Sequence, residues 1–176
     1  MILWLIGYRG TGKTTVGRLL AESLGREFAD ADAALIRETG ESIAEFVARE
    51  GWPAFRRAES RILRKLSMGT DRVVATGGGV VLDPENVRRM RATGTVIWLT
   101  ARPETILSRL SGDPATEANR PALTDQSAEA EIRTTLAERE PLYAAAAHRA
   151  VATDRADASE IAGDIRRWVF RLREKG

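Results

Sequence analysis

Residues 7–14 read Gly7-Tyr8-Arg9-Gly10-Thr11-Gly12-Lys13-Thr14, which fits the pattern G-x-x-x-x-G-K-[ST], and they directly follow the apolar run at 2–6. A loop of this pattern binds phosphate between a buried strand and the N-terminus of a helix, where backbone N–H groups and the helix dipole favour an anion. The helix is predicted by one apolar face, formed by Val16, Leu19, Leu20 and Leu24. We therefore expect a nucleoside triphosphate site here; the alternative is a glycine-rich turn that matches the pattern by accident.

The loop residues have separate chemical tasks. Glycine at positions 7 and 12 allows a tight turn and lets the backbone approach phosphates without a Cβ atom in the way. Lys13 can reach the β- and γ-phosphates, and the Thr14 hydroxyl can ligate Mg²⁺. The loop therefore predicts a triphosphate with its Mg²⁺ and leaves open which group receives the phosphate.

The bulk composition describes an ordinary globular protein. Its 176 residues fit one domain with a substantial core. The formal net charge is only +2, with no run of like charge and no aromatic platform interleaved with basic residues, so no nucleic-acid partner is expected. Each arginine is therefore considered separately as a possible ligand for an anion.

The sequence also carries signals about location. It contains no cysteine, which excludes disulfides and zinc–thiolate sites and is compatible with a reducing cytosol. The apolar start at 1–6 is too short for the core of a signal peptide and has no basic residues before it. No stretch approaches the ~18 apolar residues of a membrane-spanning helix. We expect a cytoplasmic protein without a membrane partner, and a monomer.

Apolar, β-branched segments alternate with helical ones along the chain. Strands are predicted at 2–6, 27–29, 72–76, 95–100 and 149–152. Helices are predicted from 13 to about 24, near 32, near 42, from the prolines at 53, 84 and 103, over 127–147 with a possible interruption at Pro141, and near the C-terminus. Such an alternation, with a phosphate loop at the first turn, predicts a doubly wound α/β fold with a parallel sheet. Ligands of such folds lie beyond the carboxyl ends of the strands.

Two segments interrupt this alternation. The segment 32–66 is mostly helical and too long for a simple crossover, so it is expected to form a lobe beside the site. The segment 112–126 is polar and rich in proline and glycine, which is typical of a lid or of a disordered loop. A lid has a physical purpose in a kinase, because water must be excluded if the phosphate is to be transferred rather than hydrolysed.

Two acids, Asp30 and Asp32, follow the second predicted strand. Phosphoryl transfer needs a magnesium ion and a group that orients or deprotonates the attacking hydroxyl, and two carboxylates can divide these tasks. The alternative is that an aspartate here caps the next helix, because Asp is a preferred N-cap residue. Spacing alone leaves both interpretations open.

Two further clusters lie in the middle of the chain. Arg56 and Glu59 are three residues apart, so they share a helical face, and an arginine held by a carboxylate suits a substrate carboxylate or phosphate. Such pairs are more often solvated surface contacts. Three consecutive glycines at 77–79 allow a ligand to lie against the backbone, or simply form a flexible turn.

Two arginines and one histidine complete the set of candidates. Arg120 lies in the segment 112–126, and a lid arginine can neutralise charge on the transferring phosphoryl group. Arg139 lies among Glu and Arg residues, which by pattern alone predicts a surface charge. His148, the sole histidine, follows an alanine run at a predicted helix end that favours a protonated imidazole, and we assign it no catalytic part.

Seven pieces of the chain, taken in order, resemble the shikimate kinase family. They are GYRGTGKTTVGRLLA, FADADAALIRETGESIAEF, FRRAES, TGGGVV, VIWLTARPE, RPALT and REPLY. Several are weak alone, but they cover nearly the whole chain and their order and spacing are specific. The resemblance implies ATP-dependent phosphorylation of the 3-hydroxyl of shikimate, which gives shikimate 3-phosphate and ADP in the synthesis of chorismate and aromatic amino acids.

The resemblance also implies an architecture. It is a three-layer α/β sandwich with a five-stranded parallel sheet of order 2-3-1-4-5, the P-loop kinase fold of nucleoside monophosphate kinases. The segment 32–66 would be the substrate-binding lobe and 112–126 the lid, within a single domain that spans 1–176.

On the nucleotide side, the resemblance implies that the phosphates of ATP are held by Gly10, Thr11, Gly12, Lys13, Thr14 and Thr15. Thr14 would also ligate Mg²⁺, with Asp30 helping through water. Arg120 would close with the lid onto the phosphates, and Arg109 and Arg155 would flank the adenine.

On the acceptor side, the resemblance implies a site for one carboxylate and several hydroxyl groups. Arg56 and Arg139 would grip the shikimate carboxylate, and Glu59 would hold Arg56 in place. Gly78 would offer backbone to the ring hydroxyls. Asp32 would contact these hydroxyls and act as the base, so that Lys13, Asp32 and Arg120 are the expected catalytic residues.

Two rival functions are weighed against this interpretation. One is a different small-molecule kinase on the same scaffold, such as a gluconate or nucleotide kinase, which does not explain all of these motifs jointly. The other is a non-catalytic ATP-binding module, which has no need of Asp32, Arg56 and Arg139 around an acceptor pocket. Trp52 departs from the family pattern, because an acidic residue is common at that position.

Overall fold

The computed structural model describes residues 1–112 and 127–173. Its elements are, in chain order, β1 (Ile2–Ile6), α1 (Lys13–Leu24), β2 (Glu27–Asp30), α2 (Ala31–Thr39), α3 (Ile43–Ser67), β3 (Arg72–Ala75), a 3-10 helix (Val80–Leu82), α4 (Pro84–Thr93), β4 (Gly94–Thr100), α5 (Pro103–Ser111), α6 (Ala128–Ala146), β5 (Arg149–Ala152) and α7 (Ala158–Arg173). Arg120 and nearly all of the predicted lid lie outside the described residues.

Five parallel strands form one sheet in the order β2-β3-β1-β4-β5. Side chains of the central strand β1 alternate between two hydrophobic cores, as the period of two requires. Leu3 and Leu5 pack against α1 and α7, whereas Ile2, Trp4 and Ile6 pack against α3, α4 and α6. The expected three-layer sandwich with strand order 2-3-1-4-5 is therefore confirmed.

The predicted element boundaries are close to the observed ones. Every strand is found, with β2 extending to Asp30 and β4 beginning at Gly94. The expected interruption of α6 at Pro141 is wrong, because the helix continues to Ala146. Proline removes one backbone hydrogen bond but fixes a φ that is compatible with a helix, and buried side chains on both sides hold this one in place.

The lobe predicted at 32–66 consists of α2 and α3, which pack on each other around a small core of their own. Helix α3 bends at Gly51, where the backbone has the positive φ of 79° that glycine tolerates. The part after the bend begins near Pro53, as predicted, and returns to the sheet, where Leu63 joins the main core. This return brings Arg56 and Glu59 beside the carboxyl end of β3.

Among the helices within residues 1–112 and 127–173, none is both long enough and apolar enough to cross a bilayer.

Candidate active site

One cleft of about 410 Å³ lies at the carboxyl ends of the strands. Its walls come from the phosphate loop after β1, Asp30 at the end of β2, the glycines after β3, and Thr153 after β5. Side chains from α3, α5 and α6 complete it. The segments that the fold class predicts to bind ligands therefore meet in one place.

The phosphate loop has the backbone that its glycines predict. Gly7, Gly10 and Gly12 all have positive φ, and a Cβ atom at Gly7 would lie only 2.3 Å from the carbonyl oxygen of Leu99. Lys13 is the first residue of α1, and its Nζ donates hydrogen bonds to the carbonyl oxygens of Gly7 and Tyr8, both at 2.8 Å. The loop therefore presents a helix N-terminus and a cation to the cleft.

Thr14 and Asp30 are in direct contact. The Thr14 hydroxyl donates to Asp30 Oδ2 at 2.8 Å, and both residues line the cleft. Within residues 1–112 and 127–173, no group of three or more acids or histidines forms a metal-binding cluster. One carboxylate and one hydroxyl nevertheless fit Mg²⁺, which keeps several waters and takes its other ligands from phosphates.

The two acids after β2 turn out to have different positions. Asp30 caps α2, because its Oδ1 accepts hydrogen bonds from the N–H groups of Asp32 and Ala33 at 3.0 and 3.1 Å. The capping alternative is therefore correct for Asp30, although its second oxygen remains engaged with Thr14. Asp32 lies in the first turn of α2 and lines the cleft, with its Oδ1 about 3 Å from where a Cβ atom of Gly77 would lie.

The predicted pair between Arg56 and Glu59 is confirmed. Arg56 Nη1 donates to Glu59 Oε2 at 2.8 Å, and Glu59 is only 5% exposed, so the pair is not a solvated surface contact. Burial raises the pKa of Glu59, while the charge of Arg56 and its hydrogen bond act in the opposite direction. The guanidinium of Arg56 also lies near the rings of Trp52 and Phe55, at 5.4 and 5.1 Å from their centroids.

The glycine segment, residues 77–79, contacts these side chains closely. A Cβ atom at Gly79 would lie 2.1 Å from Nη1 of Arg56, and one at Gly77 would lie 2.5 Å from Oε1 of Glu59. At Gly78, by contrast, an added Cβ atom would meet its nearest neighbour at 3.4 Å, an ordinary separation. The absence of a side chain at the outer two glycines therefore lets Arg56 and Glu59 occupy their observed positions.

Arg139 reaches the same cleft from α6. Its Nη1 donates to the carbonyl oxygen of Gly78 at 3.3 Å, and the residue is 9% exposed. The charge pattern predicted a surface position, and that prediction is wrong, because α6 turns this face of the helix toward the sheet. Arg56 and Arg139, far apart in sequence, thus line one cleft together with Asp32.

The residues expected at the adenine have unequal positions. Arg109 lines the cleft and connects two of its walls, donating to Gly10 O at 3.2 Å and to Thr153 O at 2.6 Å. Arg155 is exposed in the loop after β5 and does not line the cleft, although Thr153 and Ala156 do. Arg120 lies outside the described residues.

Two features of the site were not predicted from the sequence. Tyr143 is fully buried, stacks on Trp98 and donates its hydroxyl proton to Gly78 O; its spacing of four residues from Arg139 was the available signal. Arg9 of the phosphate loop forms an ion pair with Glu131, which is buried on α6. No pattern in the sequence joins these two residues.

The whole chain is similar to known kinases. A family model described as shikimate kinase matches residues 9–170. The shikimate kinase of Symbiobacterium thermophilum is 41% identical over 176 residues, covering 100% of this chain and 98% of the relative, and shikimate kinase 2 of Sodalis glossinidius is 47% identical over 163 residues, covering 93% and 90%. Among solved structures, the shikimate kinase from Acinetobacter baumannii in complex with shikimate has a TM-score of 0.91 and 36% identity, covering 97% of this chain and 93% of that one.

Proposed function

Since the chain belongs to the shikimate kinase family, we propose that it transfers the γ-phosphoryl group of ATP to the 3-hydroxyl of shikimate. The products are shikimate 3-phosphate and ADP, in the synthesis of chorismate and aromatic amino acids. The observation that carries the proposal is the position of Arg56 and Arg139, which line the same cleft as the phosphate loop. The relative that was solved with shikimate bound supports the choice of acceptor.

The acceptor is recognised by complementary chemistry. Shikimate has one carboxylate and three hydroxyl groups, and guanidinium groups are the side chains best suited to hold a carboxylate with two parallel hydrogen bonds. Arg56 and Arg139 take this task, and Glu59 keeps Arg56 oriented through the 2.8 Å hydrogen bond. The backbone of Gly78 and the carboxylate of Asp32 remain for the ring hydroxyls.

The donor is held by the phosphate loop. Backbone N–H groups and Lys13 surround the phosphates, so that charge on the transferring group is stabilised without a covalent intermediate. Thr14 and Asp30 would hold the divalent ion that a kinase needs, which we take to be Mg²⁺; when bound, it neutralises charge on the β- and γ-phosphate oxygens. Arg109 acts from the adenine side and Arg120 from the lid.

Asp32 is the proposed base. It lines the same cleft as the phosphate loop and lies beside Gly77 of the glycine segment, within the cavity that would receive the acceptor. A carboxylate here can orient the attacking hydroxyl and accept its proton as the new bond to phosphorus forms. Asp30 has a different part, because its Oδ1 caps α2 and its Oδ2 contacts Thr14, with which it would hold the divalent ion.

A coupled assay of ADP release tests the proposal. ADP release from ATP and Mg²⁺ is measured in four reactions, which contain shikimate, gluconate, nucleoside monophosphates or no acceptor. The phosphorylated product is identified by ³¹P NMR. We expect ADP only with shikimate, in amounts equal to shikimate 3-phosphate. Faster release with gluconate or a nucleotide would establish another kinase, and release that ignores all acceptors would favour an ATP-binding module without acceptor chemistry.

Three predictions from the sequence accompany this function. A single domain over 1–176, a monomeric state and a cytoplasmic location stay predictions. The same holds for the lid at 112–126, which we propose to cover the nucleotide phosphates.

A further inference from the structure

The glycine segment has no side chains with which to fix its own orientation. Two of its carbonyl groups are held by the following turn, because Val80 N–H donates to Gly77 O at 3.3 Å and Leu82 N–H donates to Gly79 O at 3.0 Å. The middle carbonyl, that of Gly78, points elsewhere and accepts from Tyr143 and Arg139 of helix α6. The orientation of this peptide group therefore depends on α6.

Tyr143 is a rigid donor. Its residue is 0% exposed, and its ring stacks on Trp98 with the centroids 5.7 Å apart. Burial raises the pKa of the hydroxyl to about 12, against the lowering effect of the charge of Arg139 and of its hydrogen bond to this oxygen, so the group stays protonated and donates its proton to Gly78 O. A buried ring of this kind has little conformational freedom left to lose on binding a ligand.

Arg139 lies one helical turn before Tyr143 and shares its acceptor. Its contact with Gly78 O is longer, at 3.3 Å, and uses one of the five N–H donors of the guanidinium. If the tyrosine hydroxyl were removed, the buried carbonyl would depend on Arg139 alone, and an under-satisfied buried acceptor attracts the nearest donor. The guanidinium would then be drawn toward the backbone and away from a bound carboxylate.

We propose that Tyr143 is a positioning residue for the acceptor: its hydroxyl fixes the Gly78 carbonyl and leaves the guanidinium of Arg139 aligned for the substrate carboxylate. Tyr143 touches neither substrate nor nucleotide in this scheme, since it acts through its neighbours. The inference rests on the proposed function, because it takes shikimate as the acceptor. It adds a residue that determines how well the carboxylate is held.

The first test is Tyr143→Phe, which keeps the ring and its stacking on Trp98 and removes only the hydroxyl. Loss of one neutral hydrogen bond at the acceptor predicts a rise in the shikimate KM of roughly 3- to 10-fold. The ATP KM and kcat should stay within about twofold, because the phosphate loop is untouched. An unchanged shikimate KM, or an equal rise of both KM values, would overturn the proposal.

Thr93→Val is the matched control for the loss of a structural hydroxyl. Thr93 accepts a hydrogen bond from Nε1 of Trp4 at 3.2 Å and donates to Arg89 O at 2.8 Å; Trp4 belongs to the same core as Tyr143, and Thr93 lies beside it at the opposite end of the sheet. It should lower the melting temperature as Tyr143→Phe does and leave both KM values unchanged. A shikimate KM that rises in this control would show that general loosening of the core accounts for the effect.

The second test asks whether the hydroxyl acts through Arg139. In an Arg139→Ala background, Tyr143→Phe should change the shikimate KM by less than about twofold, because the competing guanidinium is gone. A full, additive effect would overturn the proposed coupling. If the unmodified protein releases no ADP in response to shikimate, the proposed function itself fails, and that result is distinguishable because it needs no variant.

Discussion

The donor half and the acceptor half of the cleft are built in different ways. The donor half is the phosphate loop, residues 7–14, with Thr14 against Asp30. It consists of consecutive residues whose backbone conformation creates the site. The acceptor half consists of Arg56 with Glu59, the glycine segment, and Arg139, and it is held by contacts between side chains from three separate parts of the chain.

This difference predicts which kinetic parameter changes when a residue of each half is substituted. In the donor half, Lys13 is the cation that we propose to stabilise the transferring phosphoryl group among many backbone N–H groups, so its loss should affect turnover. In the acceptor half, the two guanidinium groups are proposed to hold a ground-state carboxylate, so their loss should affect affinity. Substitutions on the two sides should therefore separate into effects on kcat and effects on the shikimate KM.

Lys13→Met gives the largest expected effect. It removes the cation at the phosphates, and we expect kcat to fall by about 10³–10⁵-fold, the range seen when a cation that stabilises the transferring phosphoryl group is lost. Thermal unfolding should show a folded protein. Substantial turnover in a well-folded variant would contradict the assignment of the phosphate loop.

Asp32→Asn should come next, with kcat lowered by about 10²–10⁴-fold and the shikimate KM changed much less. The amide keeps the size of the side chain and loses its ability to accept a proton. Steady-state kinetics with both substrates separate the two parameters. If kcat is maintained, Asp32 does not act as the base and belongs with the binding residues.

Arg139→Ala should weaken shikimate binding by about 2–5 kcal/mol, the cost of breaking a buried charge pair with the substrate. The ATP KM should stay close to its original value. Arg133→Ala is the matched control, because Arg133 lies on the same helix but is exposed and pairs with Glu129 and Glu104. Intact affinity in Arg139→Ala, measured by calorimetry, would break the distinction between the two halves.

Gly79→Ala should act indirectly and less strongly. The new methyl group would overlap the guanidinium of Arg56. Because this guanidinium is the end of a flexible side chain, it can shift, so the protein should fold with Arg56 displaced from its position in the acceptor half. We expect the shikimate KM to rise roughly tenfold with little change in melting temperature. Gly163→Ala, in helix α7 where an added Cβ atom would lie at an ordinary 3.5 Å from Nη1 of Arg167, should leave both KM values as they are.

The smallest effect concerns pH. Burial raises the pKa of Glu59, so the folded protein binds the Glu59 proton more tightly than the unfolded chain does. Protonated Glu59 therefore contributes to the free energy of unfolding at low pH, and this contribution is lost as the pH rises through the raised pKa. Protonation still removes the negative partner of Arg56. We therefore expect the shikimate KM to rise a few-fold as pH falls through a value above the ordinary range for glutamate.

Glu59→Gln supplies the control for this titration. The variant should show a raised shikimate KM at every pH and lack the acid transition in that parameter. Retention of the transition would assign it to a group other than Glu59.

The difference between a donor half of consecutive residues and an acceptor half of distant ones also determines what the sequence could predict. The phosphate loop and the strands were accessible because their signals are local, in glycines at fixed spacing and in apolar runs. Arg139 was predicted at the surface because its neighbours are charged, and only the packing of α6 on the sheet reveals that its face is buried. Tyr143 lies four residues after Arg139 on the same face of α6, and the same packing reveals that this face is buried.

His148 is a further case in which local pattern was insufficient. Its place after a helix favoured a protonated imidazole, yet its Nδ1 accepts the N–H of Val96 at 2.9 Å. Partial burial lowers the pKa of His148, and the charge of Arg91 adds to this effect. The partner comes from a strand about fifty residues away, which no helix-end rule can anticipate.

Helix α6 contacts both halves of the cleft, through Glu131 paired with Arg9 and through Arg139. These two contacts lie roughly two turns, or about 12 Å, apart along a helix that is continuous across Pro141. The separation between the contact with Arg9 of the phosphate loop and the contact of Arg139 with the glycine segment is thus set by the rise of a single helix. Inserting one residue between them would rotate Arg139 by about 100° and turn it away from the cleft, so the length of this interval is as constrained as any side chain within it.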